Sequence, residues 1–268
     1  MKTGLALSGG AARGLAHIGV IKVLREQQIP IDVVTGTSAG SIIGGGFAAG
    51  LSVAQMTDLA AQIKWGVIGR FAFSRFGVFS TEPMQNHIRQ IFPVQTFEET
   101  VTPFACVATD LNTGEAIVMK ERGELAPAIA ASCAIPGIYV PVKSADGRQL
   151  IDGGIAEFVP VKTARSLGAD LVIAVEVNFD DARFVNAPQT ALGVFFQAAM
   201  LLLKTAASHQ LNNADIVIRP SVGHLRVDEF GKAREFIAAG EKAALAAIDD
   251  IKILVENAKI KTKGNLER

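Results

Sequence analysis

The sequence predicts an α/β fold of three layers, in which a central, largely parallel sheet lies between two layers of helices. Short apolar runs alternate with helix-length segments along a chain of 268 residues, and this order is typical of strand–helix–strand units. Residues 171–177 are apolar at almost every position, as expected for a strand that helices cover on both faces. With 49% apolar residues, the chain can bury the large core that such a fold needs.

The candidate strands are short and apolar. In chain order they are residues 4–7, 31–35, 103–109, 116–119, 150–151, 171–177 and 216–218. Parallel neighbours require long crossover connections, so the helix-length segments between these strands favour a sheet covered on both sides.

The candidate helices fill those connections. They are residues 13–27, 39–49, 53–63, 82–91, 125–131, 161–167, 189–210 and 234–258. Pro30, Gly50 and Gly168 follow three of them, and both residue types commonly mark the end of a helix.

The domain organisation predicted is a single unit over residues 4–258, because the chain shows no repeat and no linker rich in proline or serine. The basic tail, residues 259–268, is expected to be frayed and solvated. The apolar run at residues 191–203 is shorter than the roughly 20 residues that cross a bilayer. We expect a buried helix there, or one that faces the partner in a homodimer.

Charge and cysteine usage narrow the classes of function. The 26 basic and 26 acidic residues balance, so no overall field recruits nucleic acid. Cys106 and Cys133 lie among apolar or small residues without metal-ligand spacing, which indicates buried thiols in a reducing compartment. The N-terminus lacks the long apolar region of a secretory signal. We therefore expect a cytoplasmic protein that uses neither a metal nor a cofactor.

The pentad GTSAG, residues 36–40, makes Ser38 a candidate nucleophile. It follows an apolar run and precedes a segment of small residues that can form a helix. At a sharp strand-to-helix turn, Gly36 and Gly40 would let the backbone crowd together while the Ser38 hydroxyl stays exposed. The helix N-terminus would favour the negative charge that develops there.

A glycine-rich turn, SGGAARG at residues 8–14, precedes the first predicted helix. The amides of Gly9, Gly10 and Ala11 could converge on an anion, either an oxyanion or a nucleotide phosphate. The turn lacks the endings of a P-loop and of a dinucleotide fingerprint, yet on its own it leaves both alternatives open. Arg13 and Gly14 would support the loop, or Arg13 would meet an anionic headgroup.

The stretch LIDGG places Asp152 at the end of a short strand. An Asp-Gly step is usually a turn, but a serine nucleophile requires a neighbouring base. The histidines do not form a compelling triad with Ser38, although the order Ser38, Asp152, His209 imitates that of the α/β-hydrolases. The histidines are His17, His87, His209 and His224; for His17 we expect a packed or capping role.

These three motifs, in this order, resemble the patatin-like phospholipases, which are serine hydrolases with a Ser-Asp dyad. The resemblance also includes LAHIGVIKVL, AIAASCAIPGIYVPV and VPVKTARSLGADLVIAVEV, and so covers nearly the whole chain. It implies a patatin-like α/β/α fold, Ser38 as nucleophile, Asp152 as general base, and an oxyanion hole at residues 9–11. Ala11 stands where the family often has a third glycine, which narrows the space for substrate.

The resemblance implies hydrolysis of acyl esters, of the phospholipase A or lysophospholipase type, through an acyl-enzyme on Ser38. Two alternatives remain at this point. One is an acyltransferase with a similar nucleophile elbow, the sharp strand-to-helix turn at residues 36–40. The other is a non-catalytic lipid-binding or regulatory module that retains the fold.

Residues 64–79 (KWGVIGRFAFSRFGVF) concentrate aromatic and basic side chains. One hypothesis is a lid or interfacial patch that inserts aromatics among acyl chains while arginines meet phosphates. The alternative is a satellite core under the loop. The candidate lipid contacts are Trp65, Arg70, Phe71, Phe73 and Arg75, and they would bring the protein to the periphery of the inner membrane surface.

Overall fold

A mixed, mostly parallel sheet flanked by helices forms the centre of the protein. The computed structural model describes residues 1–63, 70–72, 74–178 and 190–266. The strands of this part of the chain are β1 (Thr3–Leu7), β2 (Val33–Thr37), β3 (Arg70–Phe71), β4 (Gly77–Ser80), β5 (Phe104–Asp110), β6 (Ala116–Lys120), β7 (Gly137–Tyr139), β8 (Val142–Lys143), β9 (Gln149–Asp152), β10 (Leu171–Val175) and β11 (Ile216–Ile218).

The main sheet has the order β11-β10-β1-β2-β5-β9-β8, and β6 also pairs with β5. The strands from β11 to β5 pair in parallel, whereas β6, β8 and β9 add antiparallel pairs. A second, smaller sheet has the order β3-β4-β7. The parallel strands place the ends of β1 and β2 at one edge, where glycine-rich segments follow them.

The helices of the described residues cover both faces of the main sheet. They are α1 (Ala16–Glu26), α2 (Ala39–Ala48), α3 (Val53–Gln62), α4 (Glu82–Ile91), α5 (Leu125–Ser132), α6 (Gly154–Glu157), α7 (Val161–Ser166), α8 (Ala191–Leu211) and α9 (Ala233–Leu266), with 3-10 segments at Ala11–Leu15, Phe97–Glu99 and Phe230–Lys232.

Alternation along the central strands divides the core into two layers. In β1, Leu5 and Leu7 join the larger apolar cluster, with side chains from α1 and α9. The residue between them, Ala6, faces the opposite cluster, where Val161 and Ala164 of α7 pack. Successive side chains of a strand point to opposite faces, so both faces are buried and the predicted three-layer fold is confirmed.

Most predicted elements are present with shifted ends. The helix predicted from residue 13 begins as the 3-10 segment Ala11–Leu15 and becomes α-helical at Ala16. The tail predicted to fray from residue 259 is helical through Leu266. The short strands β3, β4, β7 and β8 and the four-residue helix α6 were not predicted.

The apolar run at residues 191–203 lies in α8, which is less buried than predicted. Val194, Leu201 and Leu202 are exposed, whereas Ala207, one to two turns later, packs into the core. A dimer-facing role for this surface stays a prediction. In the described part of the chain, no helix combines the length and the apolar character needed to cross a bilayer.

Candidate active site

Ser38 lies at the junction between β2 and α2. Its backbone conformation is one that residues other than glycine rarely adopt. Its φ is 51° and its ψ is −123°, a strained state for a residue with a Cβ. A Cβ on Gly36 would collide with the carbonyl of Gly40, and one on Gly40 would collide with the carbonyl of Leu7. These glycines therefore allow the turn that raises the Ser38 side chain.

The register of the sheet brings Asp152 to the same place. Val107 of β5 pairs with Thr37 on one edge and with Val118 of β6 on the other. The next residue, Ala108, pairs with both β6 and Asp152. A strand has only two edges, and β6 occupies one edge of β5, so β9 must pair with the same edge as β2. Asp152, the last residue of β9, therefore lies next to the point where β2 ends at Thr37.

The carboxyl group of Asp152 is buried and half satisfied. Its Oδ1 accepts a hydrogen bond from the Gly154 amide at 2.8 Å, and its side chain is 8% exposed. Burial raises the pKa of Asp152 from 3.8 to about 6, while the Ser38 hydroxyl and the Gly154 amide oppose this rise. The Ser38 hydroxyl is thus close, yet Oδ2 has no partner in full hydrogen-bond geometry among the described residues.

The glycine-rich turn closes the other side of the site. A Cβ built on Gly9 would lie 3.4 Å from the Cβ of Ser38, so the two segments are in contact. The Gly9 amide itself donates to the carbonyl of Phe158 at 3.2 Å and is already used. In the described residues the amides of Gly10 and Ala11 donate to no acceptor, and Ala11 has a φ of 47°.

Arg13 supports this turn from behind. Its guanidinium donates to the carbonyls of Leu225, Gly223 and Asn178 at 2.8–3.2 Å. Gly14 allows close contact with α2, since a Cβ there would lie 2.5 Å from the Cβ of Ala39. The guanidinium therefore binds the protein's own carbonyls. This favours a role for Arg13 in supporting the loop over a role in binding an anionic headgroup.

The histidines do not complete a triad in the described structure. His17 is fully buried, its Nε2 lies 2.9 Å from the Ser8 carbonyl oxygen, and burial lowers its pKa to about 4 despite that hydrogen bond. A neutral ring with Nε2–H as donor satisfies this contact. His209 and His224 are exposed, and neither hydrogen-bonds to Ser38 or Asp152.

The candidate lipid contacts are partly described. Trp65 and Phe73 lie outside the described residues, and of Arg70 only the backbone is described. Phe71 is 77% exposed, and Arg75 is exposed at the tip of the β3–β4 hairpin. Phe71 and Arg75 thus lie together on one hairpin.

The family model for patatin-like phospholipases matches residues 5–165, which include the glycine-rich turn, the elbow and Asp152. The chain belongs to the patatin-like phospholipase family.

Curated relatives agree with this assignment. An uncharacterized NTE family protein of Mycobacterium tuberculosis is 39% identical over 184 residues, which cover 68% of this chain and 50% of that protein. Lysophospholipase nte1 of Emericella nidulans is 34% identical over 193 residues, 69% of this chain and 12% of that protein. The chain thus spans half or less of the length of these relatives.

Solved structures share the patatin-like fold. VipD from Legionella pneumophila superposes with a TM-score of 0.57 at 14% identity, over 93% of this chain and 67% of that chain. The type III effector protein ExoU gives a TM-score of 0.51 at 13% identity, over 93% of this chain and 53% of that chain. At such identities the likeness concerns the fold alone.

Sequence reasoning assigned no role to a further segment that lies against the site, residues 132–134. Ser132 is the last residue of α5, and its hydroxyl oxygen accepts a hydrogen bond from the Ser38 amide at 2.9 Å. The carbonyl of Ala134 accepts the Asp152 amide at 2.9 Å. The only sequence signal was the resemblance of the longer segment AIAASCAIPGIYVPV to the family, which assigned no role to these residues.

Proposed function

We propose that the protein is a serine acyl-ester hydrolase acting on phospholipid or lysophospholipid, with Ser38 as nucleophile and Asp152 as general base. One observation carries this proposal: the strained Ser38 and the buried Asp152 lie together where β2 and β9 follow each other along one edge of β5, and Oδ2 of that carboxylate has no hydrogen-bond partner among the described residues. The family name and the lysophospholipase named among the relatives support the substrate class.

In the first step Asp152 Oδ2 accepts the hydroxyl proton of Ser38 while Oγ attacks the ester carbonyl carbon. A carboxylate with a raised pKa is a stronger base, so the burial that raises the pKa of Asp152 to about 6 assists this transfer. Collapse of the tetrahedral intermediate expels the alcohol, which takes the proton from Asp152. Water, deprotonated by the same carboxylate, then attacks the acyl carbon, and Ser38 Oγ takes that proton from Asp152 as it leaves with release of the fatty acid.

The oxyanion of the tetrahedral intermediate requires hydrogen-bond donors. The amides of Gly10 and Ala11 donate to no acceptor among the described residues, whereas the Gly9 amide is engaged by Phe158. We therefore assign the oxyanion hole to Gly10 and Ala11, and we give Gly9 the role of allowing close approach of the Phe158 ring, which a Cβ at residue 9 would meet at 3.0 Å. One such donor is worth about 3 kcal/mol of transition-state stabilisation.

The test combines a fluorophosphonate probe with hydrolysis of lysophospholipid and phospholipid. The wild-type protein should be labelled and should release fatty acid, whereas Ser38→Ala should do neither and Asp152→Asn should lose turnover while remaining folded. The rate should rise with pH through about 6, because the base must be ionised.

Other results would favour the alternatives. A wild-type protein that is folded but unlabelled would indicate a non-catalytic lipid-binding module. Acyl transfer to added alcohols or lysolipids in preference to water would indicate an acyltransferase. Full turnover by folded Asp152→Asn would contradict the dyad, and loss of acyl-enzyme in an alanine variant of a single histidine would replace it with a triad.

A further inference from the structure

Residues 132–134 hydrogen-bond to both halves of the proposed dyad; we name them the 132–134 bridge. The Ser132 hydroxyl oxygen accepts the Ser38 amide at 2.9 Å, and the Ser132 carbonyl accepts the Gly153 amide at 3.3 Å. Through Ala134 the same bridge accepts the Asp152 amide. One tripeptide therefore fixes two segments that are more than a hundred positions apart in the chain.

The contact with Ser38 satisfies an amide that has no other acceptor in the described residues. Ser38 precedes the first turn of α2, where helix amides lack partners within the helix, and its side chain is 8% exposed. Leaving a buried amide without an acceptor is destabilising, so loss of this acceptor would favour relaxation of the elbow.

Ser132 itself is fully buried, and among the described residues its hydroxyl hydrogen-bonds to the Ser38 amide and not to the carboxyl group of Asp152. The hydrogen bonds of Ser132 therefore act on the backbones of Ser38 and Gly153. The neighbouring thiol of Cys133 lies 3.7 Å from the Ser41 hydroxyl, which in turn donates to the Ser38 carbonyl. The bridge thus borders the elbow on more than one side.

We propose that Ser132 is a positioning residue, which holds the Ser38 backbone in register with Asp152 so that Oγ and Oδ2 face each other. This inference rests on the proposed function. A displacement of about 1 Å at reacting groups can cost about a hundredfold in rate. Loss of the Ser132 hydroxyl should accordingly lower kcat by about ten- to a hundredfold and leave KM unchanged, since this side chain is buried behind the elbow.

The experiment compares Ser132→Ala with Ser132→Thr, which retains the hydroxyl oxygen. The matched control is Thr35→Val: Thr35 is fully buried on β2, and its hydroxyl donates to the Pro160 carbonyl at 2.9 Å, away from the dyad. For each variant, kcat is normalised to sites titrated with the fluorophosphonate probe, and Tm and the pH profile are measured in parallel.

The proposal expects a low kcat per titrated site for Ser132→Ala, recovery in Ser132→Thr, and wild-type kcat for Thr35→Val despite a lowered Tm. The acid limb near pH 6 should not move. If the acid limb of the pH profile moved towards the ordinary pKa of an Asp side chain, water would have entered a loosened site. That result would overturn the positioning role. Wild-type kcat per site in Ser132→Ala, or no recovery in a folded Ser132→Thr, would overturn it as well.

Failure of the proposed function gives a different result from failure of this inference. If Ser38→Ala retained turnover, the hydrolase assignment itself would be wrong. If Ser38→Ala is inactive and Ser132→Ala is not impaired, the hydrolase assignment stands and the positioning role is rejected.

Discussion

Two residues with a Cβ adopt left-handed backbone conformations in the two segments that border the site. Ser38 has a φ of 51° and Ala11 has a φ of 47°, and Gly9 brings their segments into contact. Such states cost about 1–3 kcal/mol and persist where surrounding structure enforces them. At Ser38 this conformation sets the proposed nucleophile at the start of α2, and at Ala11 it accompanies an amide with no acceptor among the described residues.

The Ala11 conformation leads to a prediction about stability. Ala11→Gly should raise the free energy of unfolding by up to about 1 kcal/mol, because glycine adopts positive φ without a Cβ clash. The amide proposed for the oxyanion remains, so turnover should be retained. Urea denaturation and ester hydrolysis measure both quantities.

The matched variant at this position is Ala11→Val. A β-branched side chain is a poor occupant of positive φ, so this variant should be less stable than wild type. Equal stabilities for the glycine and valine variants would show that backbone strain at residue 11 is negligible.

The residues of the site differ in how far their positions follow from sequence. Ser38 and Asp152 lie in short motifs that can be identified from their glycines. Glycine is needed there because the backbone segments approach too closely to leave room for a Cβ. Ser132 could not be predicted: a serine in an alanine-rich helix gives no signal, and its contact with Ser38 exists only once α5 has packed. Likewise, the Gly9 amide is no longer available as an oxyanion donor because it donates to the Phe158 carbonyl. The sequence of the turn does not reveal this tertiary hydrogen bond.

At the scale of elements, the β3–β4 hairpin connects the surface to the site. Exposed Phe71 lies 5.0 Å from Phe79 between ring centroids, and Phe79 lies 6.3 Å from Tyr139. Tyr139 is buried on β7, and burial together with the nearby Cys133 thiol raises its pKa to about 12. A row of rings thus leads from solvent towards the segment that borders Ser38.

We predict that this hairpin contacts lipid. Phe71 is 77% exposed and Phe76 is 65% exposed, and Arg75 between them can meet phosphate. Replacing both phenylalanines by serine should weaken binding to anionic phospholipid vesicles at least about tenfold, since burial of one ring is worth about 2 kcal/mol. Cosedimentation in the Ser38→Ala background would measure this without hydrolysis.

The control for vesicle binding is Val101→Ser. Val101 is 73% exposed and precedes β5, at the opposite end of the strands from Ser38. Its replacement should leave vesicle binding unchanged. If the double phenylalanine variant binds vesicles as well as Val101→Ser does, the lipid-contact prediction is wrong. The satellite-core alternative would then be favoured.

The small sheet shows why some elements escape sequence analysis. Helices and central strands are long enough for their apolar pattern to identify them, and the predicted ends are off by a few residues at most in the sheet. The strands β3, β4 and β7 have only 2–4 residues. Their existence depends on pairing between Gly77 and Gly137 and between Phe79 and Tyr139, which are contacts across some sixty positions.

At the scale of the whole molecule, two buried groups titrate with opposite effects on stability. Burial raises the pKa of Asp152 from 3.8 to about 6, so the stability it contributes is present below about pH 4 and is lost as pH rises through about 6. Burial lowers the pKa of His17 from 6.5 to about 4. Its contribution is present above pH 6.5 and is lost as pH falls through about 4.

These contributions oppose each other in the wild-type protein. A shift of about two units corresponds to about 3 kcal/mol for each group, and the two windows overlap between about pH 4 and 6. As pH rises through this range, ionisation of the proposed base Asp152 lowers the stability of the fold while loss of the proton from His17 raises it. An enzyme that keeps a carboxylate buried for catalysis is expected to show such a trade between activity and stability.

The variant Asp152→Asn separates the two contributions. Asparagine keeps an oxygen for the Gly154 amide but carries no charge, so the variant should be more stable than wild type by up to about 3 kcal/mol at pH 7. The difference should shrink as pH falls and disappear near pH 4, where the wild-type carboxyl group is also neutral. Urea denaturation of both proteins between pH 4 and 8 measures it, and the carboxylates common to both cancel in the comparison. A difference that does not change with pH would mean that Asp152 titrates alike in the folded and unfolded chain, and the buried, strengthened base on which the proposed mechanism depends would be rejected.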